Sequence, residues 1–315
     1  MTTSTPAVGT RVKVVVPATT ANLGPGFDTL GMALTVYDEL EVRVVEGSGV
    51  RVDVFGVGAG EVPTDHTNLV AHSLLATFEA VGHKAPGLHL IAHNSIPHGR
   101  GMGSSGAAIV AGVMAAKGLL EGIVSFDEQK LLAIATELEG HPDNIAPSLF
   151  GGLTIAWMTD SGPRSIQLAV HRGVSILVAI PRKLTMSTHV ARSLQPETVP
   201  HEDAIFNLSR AALLVAALLD SPNLLFEATE DRLHQTYRAS AMPETSALLG
   251  YLREHGYAAV VSGAGPSILV LCNDPGQRLE IESLIHARHG DDWEVRMLTV
   301  DERGATVEAL PEISD

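Results

Sequence analysis

Residues 97–107 read PHGRGMGSSGA and run into a segment of small and apolar residues. They hold three glycines followed by two hydroxyl residues, Gly99, Gly101, Gly103, Ser104 and Ser105. Glycines let the backbone approach an anion closely, and the N–H groups at a helix start bind phosphate. A hydroxyl there is also a ligand for Mg²⁺. We therefore predict a phosphate-binding loop that opens a helix over residues 104–120. A flexible turn with Ser104 as the N-cap is the simpler alternative.

Gly101 to Gly106 also matches the GxGxxG pattern of dinucleotide-binding proteins. In that fold the first glycine follows its strand directly, whereas residues 93–100 separate Gly101 from a predicted strand at 88–92. That fold also requires an acidic residue about 20 positions later, at the end of a second strand. Glu121 is the only candidate, and it lies in a glycine-flanked loop. A Walker A sequence and the protein-kinase HRD–DFG pair are both absent from the sequence. A nicotinamide-dependent dehydrogenase is therefore the least favoured alternative.

Composition narrows the classes of function. The chain has 315 residues, of which 45% are hydrophobic and 18% charged, so one large domain or two smaller ones can bury a core. Aromatic residues make up only 4%, which argues against binding sites built on stacked bases or sugars. Acidic residues outnumber basic ones 36 to 21, for a net charge of −15, and no Lys/Arg cluster offsets them. We therefore expect no nucleic-acid partner.

Cys272 is the only cysteine, so no intrachain disulfide forms, which fits a reducing compartment. The longest uninterrupted apolar run, residues 211–219, is far shorter than the roughly 20 residues of a membrane span. The N-terminal segment shows no long apolar stretch of the signal-peptide type. These features predict a cytoplasmic protein without a membrane partner.

Hydrophobic periodicity predicts strands and helices that mix without strict alternation. The predicted strands are 12–16, 41–45, 50–55, 88–92, 153–158, 174–180, 257–262, 267–271 and 294–299. The predicted helices are 68–81, 104–120, 126–139, 206–219, 225–233, 246–254 and 278–289. We expect Pro17 to close the first strand, and the next two strands to form a hairpin around residues 47–49. The pattern favours an α+β fold in two halves that meet near residues 155–170.

Residues 17–31, PATTANLGPGFDTLG, place dense glycines between two apolar stretches. Such glycines require unusual backbone dihedrals. Asn22 can donate and accept hydrogen bonds, and Asp28 offers a carboxylate. A tight turn in which both side chains bond their own backbone is an equally good interpretation of these residues alone.

Residues 137–144, ELEGHPDN, concentrate acids, a histidine and an amide, namely Glu137, Glu139, His141, Asp143 and Asn144. Pro142 ends a helix and places the following side chains on a loop. A carboxylate beside the phosphate-binding loop could hold Mg²⁺ together with a serine hydroxyl and phosphate oxygens. A solvated helix end is the alternative for both glutamates. No second ligand set with zinc spacing supports a zinc site at His141.

Two arginines, Arg192 and Arg238, follow short polar segments in the second half of the chain. A guanidinium meets both oxygens of a carboxylate, although surface ion pairs are the simpler interpretation on an acidic chain. Residues 262–267, SGAGPS, link two predicted strands, where Gly263 and Gly265 can present backbone N–H groups. A tight hairpin is the alternative there.

PxxxGMGSSGA resembles the phosphate loop of the GHMP small-molecule kinases, whose usual form is PxxxGLGSSAA. Met102 replaces leucine conservatively, and Gly106 replaces an alanine, which should loosen the helix start slightly. PATTANLGPGFDTLG resembles the first motif of the homoserine kinase family, and SGAGPS resembles motif three of the superfamily. The motifs occur in order, so the resemblance spans almost the whole chain.

The resemblance implies an α+β GHMP kinase architecture. It predicts an N-terminal half, residues 1–165, similar to domain 2 of ribosomal protein S5, and a ferredoxin-like C-terminal half, residues 166–315. The implied reaction phosphorylates L-homoserine with ATP to give O-phospho-L-homoserine, a step of threonine biosynthesis. A GHMP kinase for another hydroxylated metabolite, and a non-catalytic nucleotide or metabolite sensor, are the alternatives.

The resemblance also implies roles for individual residues. The ATP-binding residues would be Pro97, Gly99, Arg100, Gly101, Met102, Gly103, Ser104, Ser105, Gly106 and Ala107. The substrate-binding residues would be Asn22, Asp28, His141, Asn144, Arg192, Arg238 and Gly263. The residues assigned to catalysis would be Asn144, Arg192, Thr188 and Asp143. Ser105 and Glu139 would bind Mg²⁺, with Glu137 as an alternative ligand.

We assign no general base. Asp143 is the nearest carboxylate by sequence, but orienting the loop is an alternative role for it. Further expectations from the family are ATP and Mg²⁺ as cofactors, L-threonine as a feedback inhibitor, and a homodimer.

Overall fold

The computed structural model describes residues 5–311, apart from the side chain of Thr188. The strands are β1 (Arg11–Ala21), β2 (Leu30–Val45), β3 (Val50–Gly56), β4 (Gly87–Asn94), β5 (Leu153–Thr159), β6 (Gly162–Leu168), β7 (Ser175–Pro181), β8 (Ala258–Val261), β9 (Ile268–Cys272), β10 (Trp293–Leu298) and β11 (Thr306–Leu310). The helices are α1 (Leu69–Ala80), α2 (Ser104–Leu119), α3 (Glu128–Glu139), α4 (Ile145–Phe150), α5 (Thr188–Ser193), α6 (His201–Leu219), α7 (Leu225–Ala228), α8 (Gln235–Arg238), α9 (Pro243–Glu254) and α10 (Gln277–His289).

The first sheet has seven strands and carries the N-terminal half. Its order is β11-β1-β2-β4-β3, and β5 pairs with both β2 and β6. Only the β3–β4 pair runs parallel. Helix α2 packs along β1 and against α1. A side chain at Gly112 of α2 would meet the α1 backbone at Val70 and Leu74, so this glycine allows the two helices to approach closely.

The second sheet has four antiparallel strands in the order β10-β7-β9-β8. Numbered within this half, that order is 4-1-3-2, which is the order of a ferredoxin-like sheet. Trp293 of β10 and Ile281 and Ile285 of α10 are buried in the same cluster as strand residues. The predicted α+β fold in two halves is therefore confirmed.

Two predictions about the first sheet are wrong. The hairpin around residues 47–49 does not form, because β4 lies between β2 and β3 and pairs with both. Pro17 does not close the first strand either. β1 continues to Ala21, and its register with β2 shifts between Pro17 and Ala18. This shift lets the strand accommodate a residue that has no N–H to donate.

Most other predicted elements are confirmed within a few residues, whereas α4, α5, α8, β6 and β11 were not predicted. The helix predicted over 225–233 ends at Ala228. Asp231 accepts hydrogen bonds from the N–H groups of Leu233, His234 and Gln235, which starts a separate turn.

The end of the described chain returns to the first sheet. β11 pairs with β1, and the predicted boundary at 165/166 falls within β6, which pairs with β5. The division into 1–165 and 166–315 stays a prediction. No helix among the described residues is long and apolar enough to cross a membrane.

Candidate active site

The phosphate loop, residues 97–103, ends in a left-handed glycine directly before α2. Gly103 is the N-cap residue with φ 68°, and Ser104 is the first helical residue. Among the described residues, no side chain caps this helix start, so its first N–H groups are left for another acceptor. A side chain at Gly103 would collide with the Thr19 hydroxyl. The predicted helix and the glycine loop before it are thus confirmed, phosphate binding by this loop stays a prediction, and Ser104 is not the N-cap.

The closing motif, residues 262–267, supports the phosphate loop from the other half of the chain. Ser262 Oγ lies 2.6 Å from the Gly101 carbonyl oxygen and 2.9 Å from Thr20 Oγ1. A side chain at Gly101 would meet the carbonyl oxygen of Ser262. The motif is therefore more than a hairpin turn, because it fixes the loop against β1.

Ser105 and Glu139 meet beside the phosphate loop. Ser105 Oγ donates to Glu139 Oε2 at 2.8 Å. Glu139 is partly buried at the end of α3, and burial raises the pKa of its carboxyl group, against the opposing hydrogen bond from Ser105. Glu137 is exposed, two residues earlier on the same helix. The geometry therefore favours Glu139 over Glu137 as the acid near the loop.

The Ser105–Glu139 pair fits a magnesium ion. Both side chains offer oxygen donors, which Mg²⁺ prefers, and a protein commonly supplies only one or two ligands while phosphates and water complete the shell. The described residues contain no group of three or more His, Cys, Asp or Glu side chains that could hold a metal alone. Such a site therefore needs phosphate oxygens to be complete.

Residues 141–144 form a compact polar turn between α3 and α4. Asp143 is almost fully buried, and its Oδ1 contacts His141 Nδ1 and accepts from the Asn144 N–H at 2.9 Å. The Asp143 contact raises the pKa of His141, although burial, the largest single influence, acts in the opposite direction. Asn144 Oδ1 accepts from Thr19 Oγ1 at 2.7 Å. The turn is thus fixed to β1, with the Asn144 side chain at the phosphate loop.

The opening loop, residues 22–28, has a strained backbone. Asn22, Leu23 and Asp28 all have positive φ, at 71°, 48° and 55°. Asn22 Oδ1 accepts from the Asp28 N–H at 3.0 Å, and its Nδ2 donates to the Gly263 carbonyl at 2.8 Å. The predicted tight turn is therefore present. The Asn22 side chain also bonds to the closing motif in the other half of the chain.

Arg192 and Asp28 form a bidentate ion pair between the two halves. The guanidinium nitrogens lie 2.9 and 3.0 Å from the two carboxylate oxygens. The side chains are 39% and 38% exposed, so both stay accessible to a small ligand. Both residues were predicted to bind substrate, but their pairing could not be predicted, because 164 positions separate them in the sequence.

Arg238 is almost fully buried at the end of α8. Burial lowers the pKa of its guanidinium, while the Asp28 carboxylate opposes that effect. Its Nη1 lies 3.4 Å from the Gly263 carbonyl oxygen, the same oxygen that accepts from Asn22. Thr188, expected near the transferring phosphate, begins α5, but its side chain lies outside the described part of the chain.

A cleft of about 360 Å³ lies where these segments meet. It is lined by Gly99, Gly101, Gly103, Ser104, Ser105, Glu139, Asn144, Met186, Ser187, Gly263, Ala264 and Gly265. Met186 and Ser187 precede the α5 helix that carries Arg192. Two sequence motifs, the phosphate loop and the closing motif, therefore share one cavity with Glu139 and Asn144.

A second cavity of about 340 Å³ opens on the other side of Ser104 and Ser105 and is mostly apolar. Residues of β1, β2, β4, α1 and α2 line it, including Asp38, Asn68, Asn94 and His98. Asp38, Asn68 and Asn94 could not be identified from the sequence, because they lie in different parts of the chain and belong to no motif. His98 lies within residues 97–107 but was not among the residues predicted to bind ATP.

Other residues predicted to bind ATP have different surroundings. The side chains of Met102 and Ala107 are fully buried, so only their backbone faces the loop. Arg100 Nη2 donates to the Arg182 carbonyl at 2.8 Å, which ties the loop to the end of β7. Pro97 is partly buried at the start of the loop, and Gly106 lies buried in the first turn of α2.

Comparison with known proteins places this geometry in a family. The family model described as GHMP kinases N terminal domain matches residues 68–152, and the model described as GHMP kinases C terminal matches residues 211–290. The first range contains α2 and the 139–144 segment, and the second contains Arg238 and the closing motif.

Individual relatives extend the match over nearly the whole chain. A homoserine kinase of Clavibacter michiganensis subsp. michiganensis is 64% identical over 306 residues, covering 97% of this chain and 96% of the relative. A homoserine kinase of Streptomyces coelicolor is 47% identical over 306 residues, covering 96% of each chain. The crystal structure of homoserine kinase from Cytophaga hutchinsonii superposes with a TM-score of 0.84 at 29% identity, over 95% of this chain and 97% of that chain.

Proposed function

We propose that this chain, which belongs to the homoserine kinase family of the GHMP kinases, transfers the γ-phosphoryl group of ATP to the side-chain hydroxyl of L-homoserine. The product would be O-phospho-L-homoserine, an intermediate of threonine biosynthesis. One observation carries the proposal beyond family membership. The phosphate loop with Ser105 and Glu139 shares a cavity with Asn144, Gly263 and the start of α5, the helix that carries Arg192.

Homoserine is a zwitterion with a terminal hydroxyl, and the Asp28–Arg192 pair matches its charges. The substrate carboxylate would replace Asp28 at Arg192, and the substrate ammonium would replace Arg192 at Asp28. This exchange leaves neither protein charge unpaired, which a ligand with only one charge cannot achieve. Arg238 would supply the second guanidinium for the carboxylate.

Asn144, with Asn22 nearby, would bind the hydroxyl that attacks the phosphate. His141 and Gly263 would line the substrate, and we propose a place for Thr188 near the transferring phosphate. Because phosphoryl transfer depends on alignment and charge neutralisation more than on a strong base, we assign Asp143 to holding the turn, through His141 and the Asn144 N–H.

The N–H groups at the start of α2 would bind the phosphates, and the neighbouring apolar cavity of about 340 Å³ would take the base of ATP. Mg²⁺, held by Ser105 and Glu139, would neutralise charge that develops on the phosphate oxygens. The protein groups thereby orient both substrates for the transfer.

The first test is ADP release from Mg-ATP with L-homoserine, compared with L-serine, L-threonine, mevalonate and galactose. Turnover that is confined to homoserine supports the proposal. Turnover only with another alcohol would overturn the substrate assignment and keep the kinase assignment. ATP binding without ADP release across the panel would favour a sensor on the same fold.

Three narrower proposals follow from the family. Threonine, which resembles homoserine in charge, would compete for the same site, and the protein would form a homodimer. The chain has a single cysteine, Cys272, and this fits a reducing compartment such as the cytoplasm. Inhibition kinetics and a sedimentation experiment address the first two.

A further inference from the structure

His234 is a fully buried histidine between the opening loop and α8. Its ring stacks on Phe27, with the ring centroids 4.9 Å apart and the planes at 14°. Its Nε2 lies 2.7 Å from the Gly24 carbonyl oxygen. The histidine therefore contacts the opening loop through one ring face and one nitrogen.

The partners of the two ring nitrogens determine the tautomer. A carbonyl oxygen only accepts, so Nε2 carries the proton that is donated to Gly24. Arg238 Nη1 only donates, and it lies 3.4 Å from Nδ1, so Nδ1 presents its lone pair to the guanidinium. A protonated ring would instead direct a second N–H toward that cation, so this arrangement requires a neutral His234.

The charged groups that face His234 are Asp231, Arg238 and Asp28. Burial is the strongest influence and lowers the pKa of the ring, and Arg238 acts in the same direction. Asp231, whose Oδ2 lies 3.8 Å from Nε2, opposes both. The pKa of His234 is lowered overall, which agrees with the neutral ring that its hydrogen-bond partners require.

Two further residues, Gln195 and Phe27, contact Arg238. With its amide oriented to satisfy both neighbours, Gln195 accepts from Arg238 Nε at 2.9 Å and donates to the Leu233 carbonyl at 3.0 Å. The Arg238 guanidinium carbon lies 5.1 Å from the centroid of the Phe27 ring. Within the described part of the chain these contacts engage Nε and Nη1, which leaves Nη2 for an external acceptor.

We propose that His234 is a positioning residue for substrate binding: as the neutral Nε2–H tautomer it aims the Arg238 guanidinium at the substrate carboxylate and couples Arg238 to the opening loop that carries Asp28. This inference rests on the proposed function, because it assumes that Arg238 binds the carboxylate of homoserine. It assigns His234 no contact with the substrate and no proton transfer.

Two substitutions test the roles of the two ring nitrogens one at a time. His234→Gln keeps a donor near the Nε2 position and removes the acceptor at Nδ1, whereas His234→Asn keeps an acceptor near Nδ1. We expect His234→Gln to raise the KM for homoserine about tenfold, the equivalent of about 1.4 kcal/mol. The kcat and the KM for ATP should change less than about twofold, and His234→Asn should restore most of the homoserine KM. His255→Gln, at an exposed histidine after α9, is the matched control.

A double-variant cycle of His234→Gln and Arg238→Ala tests whether His234 acts through Arg238 or has a merely structural role. In an Arg238→Ala background, His234→Gln should raise the homoserine KM no further, since the group through which it acts is gone. Additive effects of the two substitutions, or equal rises in the KM for homoserine and for ATP, would overturn the inference. If His234→Gln does not fold, His234→Ala, which also removes the acceptor at Nδ1, enters the same cycle.

The tautomer is testable without any enzyme assay. Two-bond ¹H–¹⁵N spectra of histidine-labelled wild-type protein, assigned with the His234 variants, should show a neutral Nε2–H ring at neutral pH. A charged ring or an Nδ1–H tautomer would refute the inference. If wild-type protein turns over no homoserine, the proposed function fails, and this spectrum still decides the state of His234.

Discussion

Ser105 Oγ donates a hydrogen bond of 2.8 Å to Glu139 Oε2, which joins the first turn of α2 to the last residue of α3. Gly140 ends α3 in a left-handed conformation with φ 93° and accordingly sets the position of Glu139 relative to the phosphate loop. This contact favours Glu139, the predicted ligand, over the alternative Glu137, because Glu137 lies about 200° around the helix axis from Glu139.

Glu139→Gln should reduce kcat about 100-fold and raise the Mg²⁺ concentration required for half-maximal activity. The amide keeps the shape of the side chain and removes the charge that the cation needs. Glu137→Gln is the comparison, because Glu137 is exposed on the same helix. Steady-state ADP release over a series of Mg²⁺ concentrations measures both. A larger loss for Glu137→Gln than for Glu139→Gln would assign the metal to Glu137.

The stability of the protein should depend on pH through Glu139. Burial raises the pKa of this carboxyl group, so the folded state favours its protonated form. The stability contributed by protonation is complete at pH values below the ordinary carboxyl range and is lost as pH rises through the raised pKa. Without Mg²⁺, Glu139→Gln should therefore raise the Tm at about pH 8 and leave it nearly unchanged at about pH 4.

The control for this prediction is the same experiment with Mg-ATP. Metal binding favours the charged carboxylate, so the Tm increase that Mg-ATP produces in wild-type protein should grow with pH. In Glu139→Gln that increase should be smaller and nearly independent of pH. A wild-type protein that gains equal Tm at both pH values would contradict the assignment of a metal to Glu139.

Gly103→Ala should lower the free energy of unfolding by about 2 kcal/mol and abolish turnover. Gly103 has φ 68°, and its added Cβ would collide with the Thr19 hydroxyl. Gly106→Ala is the matched control three residues later, where the Cβ would lie 3.3 Å from Asn144 Cβ and the helical backbone favours alanine. Urea unfolding compares the two. Equal losses of stability would show that the left-handed geometry of Gly103 is not required.

Arg192→Ala should raise the KM for homoserine about tenfold and leave the KM for ATP nearly unchanged. The effect is modest for a charged contact because the Arg192 side chain is 39% exposed, and water weakens its interaction with a carboxylate. Arg172→Ala removes an exposed arginine from the turn before β7 and serves as the control. An unchanged homoserine KM in Arg192→Ala would place the substrate carboxylate elsewhere.

Several features could be predicted from the sequence because their causes are local. The phosphate loop and α2 follow from closely spaced glycines and a run of small helix-forming residues. The strands β8 and β9 likewise flank the closing motif as predicted, since two short apolar runs on either side of a glycine- and proline-containing turn mark them. In each case the residues that form the element also form its hydrogen bonds.

Other features depend on partners that are distant in sequence. The hairpin prediction failed because β4, more than 30 residues after β3, competes for the same edges, and no local pattern reports that competition. The short α4 was missed because six residues give too little periodicity to detect.

The sequence by itself determined the phosphate loop, the two-half α+β fold and the identity of the polar residues that form the cleft. Only the tertiary structure decided that Glu139 faces Ser105, that Arg192 pairs with Asp28, and that His234 lies between the opening loop and Arg238. The physical reason is the range of the interactions. Backbone dihedral preferences and helix hydrogen bonds act over a few residues, whereas ion pairs and buried hydrogen bonds depend on which surfaces the packed core brings together.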